Sequence, residues 1–183
     1  MIPHHTPLIV VCAVVCLPSL AWAAGKHQHG VVSLEVTLEA RTLTLNVEAP
    51  LDSLVGFEHR PRTSAQREAG DAALKRMNDG ATLFKPDPAA MCSLGKSSVN
   101  ADALQPADAG AGAGAGAKKE AEHADLDASY EFTCQQPDKL TNVQIGLFDS
   151  FQRIKRIDVQ LALPRGQSKQ SLKRGQNSLR LAP

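Results

Sequence analysis

The sequence lacks an excess of charge of either sign, because 20 Lys and Arg side chains are balanced by 19 Asp and Glu and the formal net charge is +1. Non-specific nucleic-acid binding needs a clear basic excess, so the composition argues against it. Beyond the N-terminus the sequence also lacks any apolar run that approaches the ~20 residues of a transmembrane helix. We therefore expect a mature protein that is soluble, does not span a membrane and does not bind nucleic acid.

Catalytic signatures are absent as well. The sequence contains no G-x-S-x-G, no H-E-x-x-H, no phosphate-binding P-loop and no G-x-G-x-x-G. No serine lies in a recognisable nucleophile setting. These absences predict that the protein is not an enzyme.

The N-terminus predicts a secretory signal peptide over residues 1–23. Leu8 to Leu20 is an apolar run of about 13 residues, too short to cross a bilayer but typical of a signal-peptide core. Ala21-Trp22-Ala23 supplies small residues before a cleavage site, so we expect the mature chain to begin at Ala24. Two alternatives stay open. One is a lipoprotein cut before Cys16, and the other is cleavage after Ala24, which would create Gly25-Lys26-His27, an N-terminal motif that binds Cu(II) or Ni(II).

Cysteine usage agrees with export. Cys12 and Cys16 are removed with the signal peptide, and Cys92 and Cys134 remain. Two cysteines in an oxidising compartment usually pair, and this pair would close a loop of about 40 residues. A redox pair or a pair of metal-binding thiolates is the weaker alternative, because the chain has no C-x-x-C and exported thiolates tend to oxidise. We therefore predict a structural disulfide.

Alternation of apolar and polar residues predicts a fold built mainly from strands. Residues 30–39 and 41–48 both alternate with period two, which is typical of half-buried strands. The short connection at Ala40-Arg41 predicts an antiparallel hairpin, although this turn lacks the favoured Gly. Pro50 is expected to end the second strand.

One main helix is predicted over residues 64–79. Thr63 and Gln66 fit a capping box, and Gly80 is the expected stop. The apolar residues that recur at helical spacing, and that we expect to face the sheet, are Ala65, Ala69, Ala72, Ala73, Leu74 and Met77.

An Ala-Gly repeat at residues 109–117 divides the chain. Its side chains bury too little apolar surface to offset the entropy of ordering glycine, so we predict a flexible linker over residues 105–120 between the halves 24–104 and 121–183 of one domain. The second half is expected to hold strands at 126–134, 142–147, 157–163 and 179–182, with a helical turn at 148–153; a helical stripe through Leu140 to Phe151 is the alternative. The predicted class is α+β, with a mainly antiparallel sheet in two halves and one main helix.

The histidines are candidate metal ligands. His27 and His29 are an i, i+2 pair just before the first strand, and an extended backbone would place both rings on one side. His59 follows Glu58, and His123 stands among acidic residues. Neutral imidazole suits Zn, Cu and Ni, so three or four of these groups could form a zinc site. The alternative is that the histidines are ordinary solvated residues of loops and of the chain terminus.

Short motifs follow a specific order on both sides of the linker. The strongest is Leu54-Val55-Gly56-Phe57-Glu58-His59. The others are His27-Gln28-His29-Gly30, Ala49-Pro50, Pro61, His123-Ala124-Asp125, Tyr130-Glu131-Phe132-Thr133-Cys134, Leu147-Phe148-Asp149-Ser150-Phe151 and Ile157-Asp158-Val159-Gln160. Together these motifs resemble the ZrgA family of bacterial periplasmic zinc-uptake proteins.

The resemblance implies a periplasmic zinc-binding accessory protein, not an enzyme, that captures or buffers Zn²⁺ for an ABC-type zinc importer. It implies His27, His29, His59 and His123 as metal ligands, with Glu58 as a further ligand or as a partner that orients His59. Family members commonly carry a His- and Asp-rich stretch between the halves. This chain has the Ala-Gly repeat there, which argues against auxiliary metal binding. The alternative function is a metal-independent periplasmic interaction or structural protein.

Overall fold

The computed structural model of the protein describes residues 28–105 and 124–181. The predicted signal peptide, the Ala-Gly repeat, His27 and His123 lie outside these residues. The strands are β1 (Val31–Glu39), β2 (Thr42–Pro50), β3 (Phe84–Pro86), β4 (Cys92–Asn100), β5 (Asp125–Cys134), β6 (Asn142–Ile145), β7 (Arg156–Leu163), β8 (Gly166–Lys173) and β9 (Ser178–Arg180). The α-helices are α1 (Leu51–Val55), α2 (Ser64–Asn78), α3 (Gly80–Leu83) and α4 (Leu147–Ser150). None of these described helices combines the length and the hydropathy that a membrane span requires.

The main sheet has six strands in the order β4-β5-β2-β1-β7-β8. Its neighbours pair antiparallel, except that β1 pairs parallel with β7. Strands from both sides of residues 106–123 therefore contribute to one sheet, in which β5 lies between β4 and β2. A second, antiparallel sheet contains β3, β6 and β9. The predicted α+β class, the mainly antiparallel pairing and the single main helix are confirmed.

The core lies on one face of the main sheet, as the period-two pattern predicts. Strands β1, β2, β5 and β7 bury alternate side chains and expose polar ones on the other face. The hairpin between β1 and β2 is also confirmed, with Glu39 opposite Thr42. Ala40 takes a positive φ of 50° in its turn, a conformation that normally favours Gly. The antiparallel register therefore forms without the expected turn residue.

The main helix begins and ends almost as predicted. The Thr63 side chain accepts a hydrogen bond from the backbone N–H of Gln66 at 3.2 Å. The Gln66 side chain accepts from Arg62, one residue before the N-cap, so the reciprocal bond of the capping box is shifted. Gly80 is not the stop, because α2 ends at Asn78 and Gly80 begins α3. Ala65, predicted to face the sheet, is exposed.

The sequence pattern does not predict three of the strands. Strands β4 and β8 form the two edges of the main sheet and bury few side chains, so their sequences do not alternate clearly. Strand β3 has only three residues. The predicted helical turn at 148–153 is α4 at Leu147–Ser150, and the last strand covers 178–180 instead of 179–182.

Tyr130 of β5 joins the sheet to the end of α2. Its ring is fully buried, and its hydroxyl donates a hydrogen bond to the carbonyl oxygen of Met77. Burial raises the pKa of Tyr130 well above its usual value, because the anion would lose its hydration. Gly80 lies directly against this ring, and a Cβ built there would overlap Cδ1.

The close approach of Gly80 to Tyr130 gives a stability prediction. We expect Gly80→Ala to lower the free energy of unfolding by about 1–3 kcal/mol, because a ring that is packed on all sides cannot move away from the new methyl group. Gly95→Ala is the matched control, since its Cβ would meet nothing closer than 3.7 Å, and a change within about 0.5 kcal/mol is expected. Urea denaturation measures both values, and equal losses would contradict the packing argument.

The predicted disulfide between Cys92 and Cys134 is present, and it links the paired ends of β4 and β5. We expect Cys92→Ala combined with Cys134→Ala to lower the free energy of unfolding by about 3–4 kcal/mol, because the unfolded chain loses the closed loop. Denaturation with and without a reductant tests this. The reductant should lower the free energy of unfolding of the wild type and leave that of the double variant unchanged. An equal free energy of unfolding for the wild type with and without the reductant would show that the bond does not stabilise the fold.

Candidate metal centre

The backbone of Gly30 fixes the segment that carries the first histidines. Its N–H donates a 2.8 Å hydrogen bond to the hydroxyl of Ser53, a fully buried residue of α1. Its carbonyl oxygen accepts from the backbone N–H groups of Lys155 and Arg156, at 2.8 and 3.1 Å. Gly30 has a φ of +80°, and a Cβ would lie 3.1 Å from the Lys155 side chain, so only Gly suits this position. His29 is consequently held beside α1.

His29 contacts one of the predicted ligands from a distant part of the sequence. Its Nε2 lies 2.9 Å from Oε1 of Glu58, and its Nδ1 lies 3.7 Å from Oδ2 of Asp52. The imidazole side chain is 60% exposed, whereas the carboxylates of Glu58 and Asp52 are 16% and 18% exposed. The two acidic groups are thus held by the protein, while the imidazole is accessible to solvent.

The short helix α1 explains why Asp52 and Glu58 lie on the same side of the molecule. Gly56 ends the helix with a φ of +88°, and its N–H bonds to the Asp52 carbonyl at 3.1 Å. This left-handed residue reverses the chain, so that the segment from Phe57 to His59 turns back towards the start of α1. The Gly in the motif L-V-G-F-E-H is therefore a requirement of the backbone.

Arg153, in the loop between α4 and β7, holds Asp52 in place. Its Nε donates to the Asp52 carbonyl oxygen at 2.7 Å, and its Nη2 donates to Oδ1 of the same residue at 3.0 Å. The guanidinium group lies against Gly56, where a Cβ would come within 3.2 Å of Cζ. Arg153 therefore binds both the backbone and the side chain of Asp52.

The loop that carries Arg153 is itself held by Arg174. The guanidinium of Arg174 donates to the carbonyl oxygens of Phe148, Phe151, Gln152 and Ile154, at 2.6 to 3.0 Å. It also lies 5.6 Å from the centre of the Phe148 ring. These contacts satisfy the carbonyl groups at the end of α4 and fix the backbone on both sides of Arg153.

His59 has a different environment from His29. Its Nδ1 lies 2.8 Å from the carbonyl oxygen of Arg60, and its ring stacks on Phe57 with 5.3 Å between centroids. Because a carbonyl oxygen can only accept, Nδ1 is the donor and Nε2 keeps its lone pair. Within residues 28–105 and 124–181, no three His, Cys, Asp or Glu side chains are grouped so that they could hold a metal ion.

Among the predicted ligands, the structure thus brings together His29 and Glu58. His59 does not complete a group of three with them in the described part of the chain. His27 and His123 lie outside the described residues, but the residues that follow them are placed. The Gln28 side chain accepts from Arg156 at 3.2 Å, and the Ala124 carbonyl accepts from the N–H of Leu51 at 2.9 Å. Ala124 therefore lies at the start of α1, next to Asp52.

Sequence reasoning missed Asp52 and Arg153. Asp52 has one available signal, because it is an acidic residue two positions before the strongest motif, in the first turn of α1. Arg153 has no comparable signal, since it is one of 20 basic residues and its partner lies about a hundred positions away. Long-range ion pairs of this kind leave no periodic pattern.

Comparison with known proteins agrees with these features. No curated protein matches the sequence. The sequence profile described as "ZrgA family zinc uptake protein" matches residues 26–181, which include His27, His29, Glu58, His59 and His123. The match covers both sides of the Ala-Gly repeat and most of the chain. The protein belongs to the ZrgA family of zinc uptake proteins.

Proposed function

We propose that this protein is a periplasmic zinc-binding accessory protein that captures or buffers Zn²⁺ for an ABC-type zinc importer, and that it binds its cargo without catalysing a reaction. The observation that carries the proposal is the 2.9 Å contact between Nε2 of His29 and Oε1 of Glu58. Membership of a zinc uptake family supports the choice of metal. Imidazole with carboxylate is also a common donor set for Zn²⁺.

The distance between these two atoms suits a shared ion. Two ligands of a tetrahedral zinc ion, each about 2.1 Å from it, are about 3.4 Å apart. The observed 2.9 Å separation is shorter than this by about half an ångström, so a small outward movement of the imidazole would admit the ion. The exposed imidazole of His29 can make this movement, whereas the carboxylate of Glu58 is only 16% exposed. We therefore assign Glu58 to the ion directly.

The remaining two ligands in this proposal come from His27, His123 and His59. His27 is two residues from His29, and His123 precedes Ala124, whose carbonyl oxygen contacts α1. The protonated Nδ1 of His59 leaves Nε2 as the atom that could bind metal. Three imidazoles and one carboxylate would satisfy a zinc ion. A ligand as exposed as His29 would allow the ion to be passed to a partner protein.

The disulfide supports export, because such bonds persist in oxidising compartments. The metal-independent alternative has one observation in its favour, since the 2.9 Å contact between His29 and Glu58 forms without an ion. The two proposals differ in their response to zinc, and the following experiment separates them.

Isothermal titration of the metal-free protein should give a zinc Kd tighter than about 10 µM. Glu58→Gln and His29→Ala should each weaken binding about tenfold or more, because each removes one ligand. Zinc at 100 times its Kd should stabilise the wild type by about 2.7 kcal/mol in thermal unfolding, because the ion binds only the native state.

Glu131→Gln is the matched control for Glu58→Gln. Glu131 is a carboxylate of β5 that pairs with Lys96 at 3.2 Å on the polar face of the main sheet. We expect this variant to bind zinc like the wild type. If the wild type shows neither binding nor stabilisation, the metal-independent alternative is correct; if all three variants bind equally, the ion is held elsewhere.

A further inference from the structure

We propose that Asp52, fixed by Arg153, is a positioning residue that orients the imidazole of His29 so that Nε2 binds the ion. This inference rests on the proposed function. Asp52 is not one of the ligands that the sequence or the family motifs suggest.

The imidazole ring of His29 has two nitrogens. They project in diverging directions, so one ion cannot bind both. Glu58 faces Nε2 at 2.9 Å, and Asp52 faces Nδ1 at 3.7 Å. An ion shared by Nε2 and Glu58 therefore lies on the side of the ring away from Nδ1 and its aspartate. Asp52 acts on the ion through His29 and does not touch it.

Asp52 is suited to hold a ring in one orientation because its own position is fixed. Oδ1 accepts from Nη2 of Arg153 at 3.0 Å, which leaves Oδ2 directed at His29. The 2.7 Å bond from Nε of Arg153 to the Asp52 carbonyl adds a second attachment. The 3.7 Å distance from Oδ2 to Nδ1 is longer than a hydrogen bond, and a ring movement of less than about 1 Å closes it.

Arg153 and its loop also contact other parts of the chain. Its guanidinium lies against the backbone of Gly56, and its loop is fixed by the four carbonyl contacts of Arg174. Arg153 therefore has contacts of its own besides its bonds to Asp52, although about half of its side chain is exposed. A succession of contacts leads from Arg174 through Arg153 and Asp52 to the imidazole of His29.

A carboxylate on the far nitrogen has known effects on a metal-bound histidine. It fixes which nitrogen carries the proton and increases the basicity of the nitrogen that binds the metal. Loss of such a partner weakens metal affinity about 10- to 100-fold. We expect Asp52→Asn to raise the zinc Kd within this range. Asp138→Asn is the matched control, because Asp138 lies beside Leu38, at the opposite end of β1 from His29.

A double-mutant cycle tests whether Asp52 acts through His29. In the His29→Ala background, Asp52→Asn should change the zinc Kd less than about twofold, because the ring that it orients is gone. An equally large effect in both backgrounds would overturn the positioning role. An unchanged zinc Kd for Asp52→Asn would also overturn this role, provided that His29→Ala weakens zinc binding.

A second measurement needs no variant. In ¹⁵N NMR spectra of the zinc-loaded wild type, His29 should bind the ion through Nε2 and keep its proton on Nδ1. Zinc on Nδ1 would overturn the inference while leaving the proposed function intact. If the wild type binds no zinc at all in the titration, the proposed function fails, and this inference fails with it.

Discussion

The position of the candidate zinc site depends on how the backbone of Gly30 is held. Its N–H and its carbonyl oxygen bind α1 on one side and the start of β7 on the other, so three segments that are distant in sequence meet at one residue. Its positive φ lets the chain turn into β1 immediately afterwards. Without this junction, His29 would not be held beside Glu58 and Asp52.

The surroundings of His29 combine rigid acidic groups with an accessible imidazole. Asp52 and Glu58 are mostly buried, while most of the His29 side chain is exposed. The proposed delivery of zinc to a partner requires a site that binds the ion without enclosing it. Two arginines stabilise the surroundings of the site without belonging to it. Arg174 stabilises the loop that carries Arg153, and Arg153 stabilises the carboxylate of Asp52, so we expect both to stay in place when the ion is released.

Local sequence patterns predict those elements whose side chains divide clearly between the core and the solvent. Strands β1, β2, β5 and β7 show the alternation because one face of each packs on the core. Strands β4 and β8 do not, because an edge strand with few buried residues tolerates almost any polar sequence. The parallel pairing of β1 with β7 was also beyond prediction, since it joins segments separated by most of the chain.

The sequence by itself determined the alternating strands, the start of the main helix and the cysteine pair, and it supplied the histidines and Glu58 as proposed zinc ligands. These features follow from the composition and from the spacing of residues along the chain. Only the tertiary structure decided that Glu58 would face Nε2 of His29 and that Asp52 and Arg153 would stand on the opposite side of the ring. Such contacts depend on the hydrogen bonds of the Gly30 backbone to Ser53, Lys155 and Arg156, which join residues far apart in the sequence and leave no local pattern.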